Sequence, residues 1–208
     1  ISTVLGILFG VICGVKRGKF LDSFLTTCAN FGAVMPAFWM AVLGMYIFSL
    51  KLGWLPTHGF TMPTEDLGMS IRQCILPLIA LSIGGIGGTT RQMRSGMLDV
   101  IRQDYIRTAR SKGLKESQVV MRHALRNAVL PVVTLTGMSF RNIVAGAVSI
   151  EQIFSIAGMG SLLINSILSK DIVVVQACIM IIAIVVVLSN LLVDMFYGVL
   201  DPRIRVEG

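Results

Sequence analysis

Residues Asp104–Pro131 read DYIRTARSKGLKESQVVMRHALRNAVLP. The stretch is polar and basic, and it lies between two apolar runs, Ile71–Thr90 and Pro131–Ile153. Each run is long enough for a helix to cross the roughly 30 Å hydrocarbon core of a bilayer. From Arg91 to Arg126 there are nine Lys or Arg against three acids (Asp99, Asp104 and Glu116), a surplus of six in a chain whose formal charge is +7. A basic island between two spans faces the cytoplasm under the positive-inside rule. The fold expected from this pattern is all-α, a polytopic bundle of transmembrane helices.

Composition agrees. The chain is 54% apolar and 14% charged, with a mean hydropathy of +0.80, whereas soluble domains carry about 25% charged residues. That apolar excess is too large for one soluble core. The basic residues sit in the connections between apolar runs, so the pI near 9.6 reflects membrane sidedness and not nucleic-acid binding. Cys13, Cys28, Cys74 and Cys178 are scattered through apolar runs with no CxxC pair. They read as small buried hydrophobes, and no metal site is expected.

Working outward from the island, Ile1–Val15 is too short for a full span and reads as the back half of one, followed by the inside residues Lys16, Arg17 and Lys19. Leu25–Leu50 is a span with a kink expected near Pro36. Lys51–Arg72 is an outer connection, with Trp54 at an interface position and a lone His58. Ile71–Thr90 contains Pro77 and paired glycines, Gly84-Gly85 and Gly87-Gly88. These either let helices approach closely or let one bend. Pro131–Ile153 is a span, Gly158 to Asp171 an outer connection, and Ile172–Leu192 the last span. Asp194 and the tail DPRIRVEG return inside, where Asp194 can pair with Arg203 or Arg205. The expectation is five crossings counting the partial one, with the C-terminus cytoplasmic. The sequence reads as one transmembrane domain, 1–208, lacking its natural N-terminus.

Within the island, Asp104–Lys112 reads as a short helix. Gly113 stands where a left-handed residue ends it. A second helix is expected over Glu116–Val129, with Val120, Ala124 and Ala128 on one face and Met121, Leu125 and Val129 on the next. Pro131 opens the following span from its first turn. Helix, glycine turn, helix and membrane could transmit force from a soluble partner to the spans. The alternative at this point is a solvated loop.

The island resembles the cytoplasmic loop of the inner-membrane permease subunits of binding-protein-dependent ATP-binding cassette importers. That pattern is Glu-Ala-Ala, three residues, Gly, a spacer and a closing Leu-Pro. Arg107-Thr108-Ala109 stand at the Glu-Ala-Ala position, Gly113 at the glycine and Leu130-Pro131 at the end. The replacement of Glu-Ala and the longer spacer resemble the dipeptide, oligopeptide and nickel branch. So do VKRGKFLD, MPAFW, LGWLPTHG, ILPLIAL, TRQMRSGMLDV and NLLVDMFYGVLDPRIR.

The resemblance implies a coupling region, 104–131, that docks on a separate ATPase subunit through Arg107, Thr108, Ala109, Arg110, Gly113, Leu114 and Lys115. It implies a second permease subunit, a paralogue of this one, and an extracytoplasmic substrate-binding protein. The location implied is the bacterial inner membrane. ATP is used by partner subunits, so this chain binds no cofactor and is not itself an enzyme. The substrates implied are di- or oligopeptides; nickel or another small solute is the alternative.

Ionisable residues at membrane depth usually face a cavity or a partner. Arg141 and Asn142 are therefore the candidates for the translocation pathway, and Glu151 for contact at the outer face. Arg141 and Glu151 lie about 15 Å apart along a helix, too far to pair. An ion-coupled carrier would favour acids at mid-membrane and matched interrupted helices, and the sequence shows neither clearly. An intramembrane enzyme would need clustered catalytic groups. His58 and His123 have no ligand-spaced partners.

Overall fold

The computed structural model describes residues 1–200, except for the side chains of 134, 135, 137–146, 192–194 and 196–200. The described residues form helices and no strand. Helix α1, Ser2–Val15, ends in a turn through Gly18, and α2 follows as Phe20–Val34. The kink expected at Pro36 is a full break. Met35 and Pro36 are both extended (φ −72°, ψ 130° and φ −62°, ψ 137°). Proline lacks an N–H and disfavours helix in the residue before it. Helix resumes as α3, Ala37–Gly44, and continues in π-helical geometry through Met45–Lys51.

Helix α4 runs from Leu67 to Ile101 through Pro77. It corrects the expected end at Thr90, because the first part of the island continues the helix. The reason is packing: Met93 and Met97 are fully buried, and Gly96 lies against the backbone of Ala128. Then come α5, Asp104–Ser111, and α6, Glu116–Gln118, which passes through a π-helical stretch, Val119–Ala124, into α7, Leu125–Ala128. Helix α8 is Leu130–Ile153, with Pro131 in its first turn as expected. Helix α9, Met159–Leu168, occupies what the sequence suggested was plain connection. Helix α10 is Ile172–Leu200.

Among the described residues, two helices are long and apolar enough to cross a membrane: α4, and α10 over Ile172–Leu191. The α2–α3 pair makes a third if it is counted as one span. Helix α1, at 14 residues, is short of a span, as its sequence implies.

The described chain packs as two compact units, Ile1–Met35 with Ser82–Thr136, and Pro36–Leu81 with residues 137–200. In the first unit, Gly6, Gly10 and Gly14 repeat every fourth residue down one face of α1. They meet Thr89, Met93 and Met97, spaced the same way on α4. The glycines at 84, 85 and 87 serve close approach: Gly85 meets Ser2, Gly84 lies near the Gly32 carbonyl, and Gly87 lies against Ala29 and Ala33. An ion pair ties α2 to α4. Asp22 accepts from Arg94 Nε at 2.7 Å and Nη2 at 2.9 Å, from Gly18 N–H at 3.0 Å and from Thr26 Oγ1 at 3.2 Å. The Asp22 side chain is only 4% exposed, and these four donors satisfy a buried charge that would be costly alone.

The second unit has its own core of Ala41, Leu76, Ala80, Ile150 and Phe154. Its long loop is pinned at three points. Ser49 Oγ donates to Pro56 O at 3.2 Å, Gly59 N–H to Phe154 O at 2.8 Å, and Thr61 N–H to Gln73 Oε1 at 2.6 Å.

Candidate functional site

The island folds as a helical hairpin on the first unit. Asp104 opens α5, and Gln103 before it is extended (φ −74°, ψ 151°). Ile106 and Ala109, three apart and so on one face, turn inward. They join Met93, Met97, Val119, Val120, Ala124, Ala128 and Val132 in one buried cluster, against which Ile7 and Val11 of α1 also pack. The face Val120-Ala124-Ala128 is buried as the spacing predicts. Met121 points out at 61% exposure; in the π-helical stretch Val119 and Val120 both turn inward and Met121 turns outward.

Lys112 closes α5, and Gly113 takes φ +76° with its N–H donating to Arg110 O at 2.9 Å. Among the described residues, no atom beyond the chain neighbours lies within 4 Å of where a Gly113 side chain would start. Two polar ties join the legs. Asn127 Nδ2 donates to Tyr105 Oη at 2.8 Å. Arg110 grips Glu116 through Nη2–Oε1 at 2.6 Å and Nε–Oε2 at 3.1 Å. That grip holds the Glu116 carboxyl below the usual carboxylate range and raises Arg110.

Of the residues singled out for docking, Arg107, Thr108, Arg110, Gly113, Leu114 and Lys115 are all exposed around the hairpin tip. Ala109 is not, because its methyl lies in the core at 8% exposure. Thr108 Oγ1 donates to Asp104 O at 3.0 Å and Ser111 Oγ to Arg107 O at 3.1 Å. The tip therefore presents Arg107, Lys112 and Lys115 with one apolar side chain, Leu114. The Arg107–Asp104 contact at 3.9 Å, with both side chains largely exposed, does little to neutralise it.

Arg141 and Asn142 lie on α8, and their side chains fall outside the described residues. Asp194, Arg203 and Arg205 fall outside them likewise. Glu151 is built into the chain's own turn. Its Oε2 accepts from Ser161 N–H at 2.8 Å, in the first turn of α9, and Gly158 and Gly160 leave room for its carboxylate. It lines an open cleft of about 320 Å³ with Gln152, Ser155, Ser161 and Asn165. His58 Nδ1 pairs with Thr57 Oγ1 at 2.6 Å.

Two features escaped the sequence reading. The Asp22–Arg94 pair joins residues 72 apart, and nothing local announces it. The Gly6-Gly10-Gly14 stripe was visible as a fourfold spacing, which is a signature of close helix approach.

A chain of apolar helices carrying a basic, core-anchored hairpin has the composition and helical build of a membrane protein component. The family of inner membrane components of binding-protein-dependent transport systems matches over residues 6–206, and the chain belongs to that family. A putative peptide permease protein of Brucella suis is 44% identical over 208 residues, covering 99% of this chain and 65% of that protein. The oligopeptide transport system permease protein AppB of Bacillus subtilis is 40% identical over 211 residues, covering 99% of this chain and 67% of that protein. The di/tripeptide transport system permease protein DppB of Pseudomonas aeruginosa is 40% identical over 220 residues, covering 96% of this chain and 66% of that protein. The chain thus spans about two-thirds of the length of such relatives.

Proposed function

We propose that this chain forms the membrane core of a permease subunit in an ATP-driven importer of di- or oligopeptides. Both packing units would belong to one permease domain, since the family match over residues 6–206 covers both. Separate ATPase subunits dock on the hairpin, a paralogous permease completes the pathway, and an extracytoplasmic binding protein delivers substrate. The setting is the bacterial cytoplasmic membrane, with five crossings and the C-terminus inside. Arg141 and Asn142 line the pathway, Glu151 faces the outer side, and ATP is bound by the partner subunits alone.

The observation that carries this reading is the hairpin. Its inner face is locked to α1 and α4 through one apolar cluster, while its tip stays exposed and basic. A solvated loop needs no such anchoring. The names of the relatives, all peptide permeases, support the substrate class. In the intact transporter, Leu114→Cys at the tip should crosslink to the ATPase subunit, and the yield should change on ATP binding. No crosslink from Leu114→Cys, with none from Lys115→Cys, would sink the docking assignment. Uptake of nickel in place of labelled peptide would move the substrate class.

A further inference from the structure

The turn between α1 and α2 carries Lys16, Arg17 and Lys19, all exposed. Asp22 is the only acid from Ile1 to Thr64. It is buried and fully engaged by Arg94, Thr26 and the turn's own Gly18 N–H. It cannot serve as counter-charge, and no described acid pairs with any of the three cations. Gly18 at φ +74°, held by that carboxylate, fixes the turn. Next to it, Phe20 and Phe24 stack at 6.1 Å on the first turns of α2, and they are 85% and 52% exposed.

We infer that this turn is a binding site for an anionic phospholipid. Lys16, Arg17 and Lys19 take the headgroup phosphate, and Phe20 and Phe24 meet the acyl chains. Three uncompensated cations on a fixed turn ask for an anion. An exposed aromatic pair one residue further, on a helix of a membrane protein, asks for hydrocarbon. An amphipathic anion meets both demands, whereas an acidic protein surface or a soluble phosphate leaves the phenylalanines in water. The sidedness rule places basic residues inside but does not call for an acid buried beneath them to hold the turn. The inference rests on membrane placement alone, not on the substrate or the ATPase.

The test uses the intact transporter in detergent, titrated separately with phosphatidylglycerol and phosphatidylcholine, with lipid adducts counted by native mass spectrometry. Phosphatidylglycerol should be preferred. K16Q/R17Q/K19Q should lower that preference about a hundredfold at low salt, given roughly one basic residue's worth of attraction each, and the gap should close as salt rises. F20A/F24A should weaken phosphatidylglycerol while leaving inorganic phosphate binding as it was. Should the triple variant fail to fold, the single variants K16Q, R17Q and K19Q carry the test through a graded loss. Equal binding of the two lipids, inorganic phosphate competing as well as the lipid, or an unchanged preference in the variants would each overturn the site. So would loss of ATPase co-purification in K16Q/R17Q/K19Q with lipid preference intact, which would make the turn a protein dock.

Discussion

Gly113 separates two questions that substitutions in a docking loop usually confound. Its φ of +76° costs an L-residue about 1–2 kcal/mol, and Asn and Asp tolerate that region better than Ala. Among the described residues, none beyond its chain neighbours comes within 4 Å of its Cβ position, so there is no steric cost to add. Gly113→Ala therefore carries only the turn penalty, a factor of about 5–30 in the ratio of native to non-native turn. Uptake of labelled dipeptide by vesicles holding the whole transporter should fall by no more than that factor. Gly113→Asn escapes most of that penalty and matches Asp in size. Gly113→Asp adds a negative charge beside Arg107, Lys112 and Lys115, which favours the hairpin itself. If a partner covers the tip, Gly113→Asp should nevertheless abolish uptake while membrane insertion and thermal unfolding stay normal. Loss in Asp but not Asn would mean that the partner senses charge, and loss in both that it senses bulk. Normal uptake by Gly113→Asp, with ATPase co-purification intact, would refute the placement of Gly113 in the dock.

Other perturbations follow from the packing. Asp22→Ala leaves Arg94 without its partner and should lower stability by about 3 kcal/mol, toward the low end because the Arg94 side chain is 29% exposed. Thermal unfolding in detergent reads this, and an unchanged midpoint would refute it. Glu116→Gln removes an exposed pair worth about 0.2–1 kcal/mol. Because folding lowers the Glu116 pKa, the stabilisation exists above the usual carboxylate range and is lost as pH falls through the folded value. Wild type and Glu116→Gln should differ in unfolding midpoint at neutral pH and converge in acid, and a gap that widens on acidification contradicts the pairing. Gly10→Val places Cβ 2.8 Å from the Thr90 carbonyl, where backbone cannot yield, and should destabilise by about 1–3 kcal/mol or more. Gly88→Ala, with open space around it, is the control and should be neutral or stabilising.

What the sequence made legible was local. Gly113 needed only its place after a short amphipathic run, and α5 ends one residue before the expected Lys112. Pro36 announced an interruption, though not that Met35 would leave the helix with it. The misses are long-range or depend on a partner surface. Arg91–Ile101 looked like loop because it is charged, but Met93 and Met97 face a cluster assembled from α1, α5 and the π-helical stretch, and helix persists where burial supports it. Helix α9 was hidden because Gly158 and Gly160 suggest a turn, whereas they make room for the Glu151 carboxylate, which accepts from Ser161 in the first turn of α9. Asp22 and Arg94 each looked like an ordinary charge beside a span.

If the hairpin takes up force from a partner, as proposed, the packing of the first unit would carry that force inward. Ile106 and Ala109 rest on Val119, Val120, Ala124 and Ala128; Gly96 of α4 meets Ala128; Met93 and Met97 of α4 meet Gly10 and Gly14 of α1. The steps are close contacts between buried residues, and packed interiors transmit strain. Arg94–Asp22 brings α2 into the same body through charge-assisted bonds. Gly113, at φ +76°, stands at the tip, and the extended pair Met35–Pro36 ends α2. A push on the tip must therefore move α5, α4, α1 and α2 together. Substitutions inside that body should weaken stability and coupling alike, whereas side-chain substitutions at the exposed Arg107, Leu114 and Lys115 should spare stability and affect coupling alone.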